Sequence, residues 1–175
     1  YLIKHKMKPK IEKVVFKNIR KSFPANGIIK KIKESKLIIF CPSNPIISIN
    51  PILSVPGIRK AVMNSKAIKV AISPIVGGKA FKGPVLSFMR AKNFSPSVSG
   101  VASFYKNIID YMMLDTTDIR HVENIKSLKI KPIINNIKMS KKTVSIAMSK
   151  KILRLVNEKG WACTIIRDTK GRTKW

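Results

Sequence analysis

Leu37-Ile38-Ile39-Phe40-Cys41-Pro42-Ser43-Asn44-Pro45-Ile46-Ile47-Ser48-Ile49-Asn50-Pro51 is the stretch on which the reading of the chain turns. Its first four residues are apolar and stop at a Pro-Ser-Asn-Pro cluster, the pattern of a short buried strand ended by proline, which has no N–H to give a sheet. Small polar side chains begin where the strand stops. In open α/β sheets this junction, the carboxyl end of a strand, is where ligands sit, and hydroxyls, amides and free N–H groups there suit an anion. The same junction recurs downstream. Lys69-Val70-Ala71-Ile72-Ser73 enters Pro74-Ile75-Val76-Gly77-Gly78-Lys79-Ala80-Phe81-Lys82-Gly83-Pro84, whose glycines permit close backbone approach and whose lysines supply charge. Two strand exits of this composition are expected to form the two lips of one crevice.

Outward from these junctions the chain alternates. Val14-Val15-Phe16 reads as the centre of a strand, and Ile28, Ile29 and Ile32, at helical spacing opposite lysines, as a helix feeding Leu37. Pro56-Gly57 precedes a short helix with Ile58, Ala61 and Val62 on one face. Arg59 lies in its first turn, either aimed back at the crevice to meet a phosphate or simply solvated. Pro84 starts a helix running through Leu86, Phe88 and Met89 to Ala91. Ser95-Pro96-Ser97 caps another, in which Val98, Val101, Tyr105, Ile108 and Ile109 make a core stripe. Tyr111-Met112-Met113-Leu114 is a buried strand ending at Asp115, and Asp118 opens a helix over 119–128. The two aspartates read as a magnesium pair or, for Asp118, as a helix cap. A strand over 130–134 and a closing helix over 140–156, with Val144, Met148, Ile152 and Val156 every fourth residue, complete the pattern. The order β-α-β-α-β-α-α-β-α-β-α gives an α/β fold, a three-layer Rossmann-like domain with a mainly parallel sheet, expected over residues 1–157 and incomplete there, with a basic tail over 158–175.

Charge proposes a competing function. Lys plus Arg number 36 against 8 Asp plus Glu, a formal net charge of +28, which suits a nucleic-acid-binding module if the charge gathers on one face. The lysines are instead spread over nearly every segment. Cys41 and Cys163 have neither CxxC spacing nor a secretory signal before them, which favours a reduced, cytoplasmic setting. Cys41 reads as a small apolar plug rather than a nucleophile. His5 has no partner at ligand spacing, so no metal site is assigned, and Gly77-Gly78-Lys79 is not a Walker A loop. The apolar runs are well short of the roughly 20 residues that span a bilayer.

The two junctions also carry a resemblance. Pro42-Ser43-Asn44-Pro45, Ser48-Ile49-Asn50-Pro51-Ile52-Leu53, Pro56-Gly57-Ile58-Arg59, Ser73 through Ala80 and Lys82-Gly83-Pro84, in this order and spacing, resemble the 2-phospho-L-lactate transferase (CofD) family of coenzyme F-420 biosynthesis. The likeness runs from Tyr1 through Gly100-Val101-Ala102, Tyr105 and Leu114-Asp115 to about Ala147, and corresponds to the carboxyl-terminal half of the family's chain. It implies a transferase that moves a phospholactyl or phosphoenolpyruvyl group from a guanosine-diphosphate-activated donor to the deazaflavin Fo, releases GMP and uses magnesium. Ser43, Asn44 and Ser48 would bind the donor's nucleotide or phosphates. Ser73, Gly77 and Gly78 would form a backbone cradle, Lys79, Lys82 and Arg59 would balance charge, and Gly83 would allow close approach. Where the family carries glycine this chain has Asn50, a residue that tolerates positive φ. The magnesium ligands are expected in the family's amino-terminal half, so this span alone is expected to be a fragment or split subunit without activity. A homodimer is left open, and a nucleotide-sugar binder like the gluconeogenesis-factor group is the rival of similar fold.

Overall fold

The computed structural model describes residues 9–81 and 83–158, Gly160, and the backbone of 166–167 and 173–174. His5, Lys82 and Cys163 therefore lie outside the described residues, as does most of the tail expected over 158–175.

The apolar tetrad forms strand β1 (Leu37–Phe40), preceded by helix α1 (Ile28–Glu34). A π-helical turn, Pro45–Ile49, runs directly into α2 (Asn50–Ser54), and α3 (Ile58–Asn64) leads to β2 (Ile68–Ile72). The glycine-rich loop is a small hairpin, β3 (Ile75–Val76) and β4 (Lys79–Ala80), followed by α4 (Val85–Ala91) and α5 (Val98–Phe104). Strand β5 (Tyr111–Leu114) exits into a 3-10 helix, Thr116–His121, continued by α6 (Val122–Ser127), β6 (Lys131–Ile134) and α7 (Lys142–Glu158). The short strands Ile166–Arg167 and Thr173–Lys174 pair antiparallel beyond it.

The main sheet has the order β1-β2-β5-β6 and every pairing in it is parallel. Because spatial order follows chain order, each crossover steps the same way, and right-handed crossovers then put their helices on one face. The core divides accordingly. Phe40, Ala71, Met112 and Leu114 pack with residues of α2 to α6 on that face, while Val70, Ile72, Met113 and Ile133 pack on the other with Met148, Ile152 and Val156 of α7. This is the three-layer arrangement expected, and it is incomplete at β1. That strand is a sheet edge, and Ile39, in register with Val70 on the face that α7 covers, stays 43% exposed.

Four expectations change. Residues 11–16 form no strand: Ile11 and Val14 are half-buried against the core while Val15 points to solvent, so the segment contributes side chains and no ladder. The run after β1 is helical rather than an open loop, because Pro45 and Pro51 each occupy an early position of a helix, where a missing N–H costs nothing. Asn50 sits at φ −60, so no left-handed residue is needed there. The helix beginning at Val98 ends at Phe104, and the chain reaches Ile108 and Ile109 through a turn containing left-handed Asn107, although the whole predicted stripe is buried.

Candidate functional site

Strands β1 and β2 pair with Phe40 opposite Ala71, so both leave the sheet at the same level. Their exits enclose a cleft of about 430 Å³. Pro42, Ser43, Asn44, Ile47 and Ser48 line one side, Pro74, Phe81, Gly83, Pro84 and Val85 the other, and Met139 reaches in from the segment after β6. The expected crevice between the two motif loops is thus present.

Asn44 is the most constrained polar group in it. Its Oδ1 accepts the N–H groups of Ile46 at 3.0 Å and Ile47 at 3.4 Å, capping the π-helical turn. Those bonds fix the amide's orientation and leave Nδ2, a double donor, buried without a partner. Unsatisfied buried donors are uncommon and call for a physical reason, of which a ligand acceptor is one. Ser43 and Ser48, half-buried beside it, add hydroxyls, and Ile47, Phe81, Val85 and Met139 supply apolar walls. The mixture of a few convergent polar groups on an apolar lining is that of a small-molecule site.

The second loop divides its duties. Ser73 is buried; its Oγ donates to the Ile75 carbonyl at 2.8 Å and accepts the Ile75 N–H at 3.1 Å, closing the turn that launches the hairpin. Gly77 and Gly78, at φ +57 and +75, are the two-residue hairpin turn, a geometry that disfavours any residue with a Cβ. The Gly77 N–H donates to Asp118 Oδ2 at 2.8 Å. Hence Gly77 is not a free donor for phosphate, and the turn faces the 3-10 helix rather than the cleft: a Cβ on Gly78 would stand 3.9 Å from Arg120 Nη2. Lys79 is exposed on β4, and Gly83, at φ +67, lines the cleft. Arg59 Nη2 donates to Asn50 Oδ1 at 3.4 Å, which ties α3 to α2 and keeps the guanidinium off the cleft lining. Of the residues expected at the site, Ser43, Asn44, Ser48 and Gly83 meet, Ser73, Gly77 and Gly78 shape the hairpin, and Lys79 and Arg59 stand outside.

A model of the family described as 2-phospho-L-lactate transferase CofD matches residues 1–152. The chain belongs to the CofD family. Among curated relatives, the 2-phospho-L-lactate transferase of Methanocaldococcus jannaschii is 35% identical over 153 residues, which are 87% of this chain and 48% of that protein. The Methanococcus maripaludis (strain C5) enzyme of the same name is 40% identical over 116 residues, 66% of this chain and 37% of its own. The chain thus spans about half the length of the M. jannaschii protein. A solved structure of a UPF0052-family protein from Bacillus halodurans shares the fold, with a TM-score of 0.52 at 17% identity over 75% of this chain and 46% of that one.

At the exit of β5, two aspartates read as a magnesium pair or, for Asp118, as a helix cap make bonds that exchange the capping role between them. Asp115 caps the 3-10 helix: Oδ1 accepts the Thr117 N–H at 3.1 Å and hydroxyl at 2.8 Å, and Oδ2 accepts the Ile137 N–H at 3.2 Å. Asp118, fully buried, is not a cap but the latch on Gly77, with Oδ1 unpartnered. Burial works to raise the Asp115 pKa, but the bonds from the Thr117 hydroxyl and from the Ile137 and Thr117 N–H groups, with the Lys138 charge, hold it below the usual carboxylate range. Both oxygens of Asp115 and one of Asp118 are engaged, and among the described residues no group of three or more His, Cys, Asp and Glu side chains is placed to hold a metal. These residues do not fit a magnesium site. No helix among the described residues is long and apolar enough to cross a membrane.

What the sequence did not disclose is the rest of the frame. Met139 reaches the cleft from a segment whose Ile137 N–H is tied to Asp115, a contact between residues 22 positions apart that no local pattern announces. Arg120 beside the glycine turn had a signal, a basic residue at a strand exit, but its spacing from Asp118 reads first as an ordinary helix start.

Proposed function

We propose that this chain forms the donor-binding portion of a 2-phospho-L-lactate transferase. In this reading the cleft between the exits of β1 and β2 takes the diphosphate of a guanosine-diphosphate-activated lactate, or of its phosphoenolpyruvate counterpart. The alcohol oxygen of the deazaflavin Fo forms a bond to the phosphorus that carries the three-carbon acid. The bond from that phosphorus to the bridging oxygen breaks, GMP departs with the bridging oxygen, and the alcohol proton passes to solvent. Phosphoryl transfer asks the protein mainly for positioning and charge balance rather than covalent chemistry. The observation that carries the reading is Asn44, whose buried amide lacks an acceptor at the wall where a phosphate oxygen would provide one. Ser43 and Ser48 add hydrogen bonds, the exposed charge of Lys79, outside the lining, attracts the anion at longer range, and the apolar walls accept the flat face of a base. Ser73, Gly77 and Gly78 serve by holding the hairpin in shape. Magnesium, where the reaction uses it, would be held by ligands outside this span, because both oxygens of Asp115 and one of Asp118 accept backbone N–H groups and no cluster of three or more His, Cys, Asp and Glu side chains is present among the described residues. The span alone is therefore expected to bind donor nucleotide without completing the transfer.

Asn44→Asp tests the assignment cleanly. The substitution keeps the acceptor that caps the π-helical turn and replaces the unpartnered donor with a carboxylate oxygen. Calorimetric titration with GDP is expected to show affinity lower by at least roughly tenfold, the worth of one hydrogen bond to a charged group, with the fold retained by circular dichroism. Lys79→Ala is expected to weaken GDP by a smaller factor that shrinks as salt rises, as an exposed charge should. Unchanged affinity in Asn44→Asp would remove the amide from the site. A single-stranded oligonucleotide bound more tightly than GDP, with log affinity falling steeply in log salt, would favour the nucleic-acid reading.

A further inference from the structure

A second cleft, about 410 Å³, opens at the other end of the sheet, where β2, β5 and β6 begin. Its floor is built from hydrogen bonds. Lys69 Nζ donates to the carbonyls of Ser65 at 3.1 Å and Ala67 at 3.0 Å and stands 3.4 Å from Asp110 Oδ2, which also accepts the Lys69 N–H at 2.8 Å. The one carboxylate in the cleft is thereby neutralised from within. Three further lysines, Lys66, Lys129 and Lys131, are among the lining residues of the same cleft, all exposed, and none of them has a carboxylate partner among the described residues. Lys131 Nζ is stationed 5.6 Å from the Tyr111 ring centroid, a cation–π contact that holds it at the opening.

Lys129 supplies an independent observation. Helix α6 ends with the Ile130 N–H on the Ile125 carbonyl and the Lys129 N–H on the Lys126 carbonyl, the bonding of a Schellman terminus. Lys129 occupies its left-handed position at φ +62, where glycine is the usual residue because a Cβ is strained there. A lysine thus stands, at a conformational cost, in the lining of the cleft beside Lys66 and Lys131.

We propose that this cleft binds a small phosphoanhydride anion, with Lys66, Lys129 and Lys131 as its charge partners and Lys69 as the fixed floor. The site is separate from the donor cleft, which lies at the opposite end of the strands, and does not depend on that assignment. The probe is inorganic pyrophosphate, followed by backbone amide NMR of the chain. Shifts are expected to concentrate at 65–69 and 129–131. Lys129→Gly is expected to melt higher by a few degrees, having shed the left-handed strain, yet to bind pyrophosphate about tenfold more weakly. Lys66→Ala with Lys131→Ala is expected to abolish the shifts, whereas replacing the exposed Lys30 and Lys33 by alanine is expected to leave them. The proposal is overturned if Lys129→Gly binds as the parent does, or if shifts are confined to 42–48 and 74–85 or spread over lysines everywhere. It is also overturned if an oligonucleotide binds the cleft more tightly than pyrophosphate with the same lysine dependence, since the occupant would then be a nucleic-acid backbone.

Discussion

Gly100→Ala is expected to destabilise the fold by about 3 kcal/mol or more, at the upper end of what overpacking costs. The reason is local and steric. Gly100 lies in the first turn of α5, its N–H held by Ser97 Oγ at 3.1 Å, and a Cβ there would come within 1.9 Å of the Ser95 carbonyl oxygen and 2.8 Å of its carbon. Those are backbone atoms of the turn that caps the helix, so relief requires the Ser95-Pro96-Ser97 turn and the helix start to separate. Val98, Val101 and Ala102, all fully buried on α5, would be displaced with them. Urea denaturation is the measurement. A midpoint close to that of the parent would show that the turn yields cheaply and that the close approach is not structural.

The second large effect is expected at Asp115, where one carboxylate holds together the exits of β5 and β6. Asp115→Ala strands the Thr117 and Ile137 N–H groups and frees the loop that carries Met139 to the cleft. A loss of about 3 kcal/mol follows from leaving the buried Ile137 donor unpaired and removing the side-chain cap of the 3-10 helix. The pH dependence has a definite sign. The folded pKa lies below the unfolded value, so the unfolded chain takes up the proton first. The carboxylate's contribution is therefore complete above the ordinary aspartate value, about 3.9, and is lost as the pH falls through the depressed one. Stability measured from neutral pH down to acid should decline less steeply in Asp115→Ala than in the parent. Parallel curves would show that Asp115 does not carry this linkage.

Much of this architecture was legible because the signals were local. A four-residue apolar tetrad and a proline at a helix start gave β1 and α4 nearly to the residue, whereas the glycine-rich stretch, read as a loop, is a hairpin. The parallel order followed from alternation, and the shared cleft from two strand exits of like composition. The strand expected at 11–16 failed because β-branched residues report a buried surface rather than a ladder partner, and here only Ile11 and Val14 find the core. The roles of the glycine loop were misjudged for a different reason. Composition shows that Gly77 can approach a phosphate, whereas only tertiary structure shows that its N–H is already engaged by Asp118, 41 residues away. Arg59 is the same case, a cation whose hydrogen bond to Asn50 is invisible until α2 and α3 are packed.

Titration of the chain with GDP, followed amide by amide by NMR, puts the donor cleft to its most direct test. Shifts gathered at 42–48 and at 74–85, with Asn44 among the largest and all of them diminished in Asn44→Asp, are the predicted result. Saturation with no response in either segment, or a response centred elsewhere on the sheet, would contradict it.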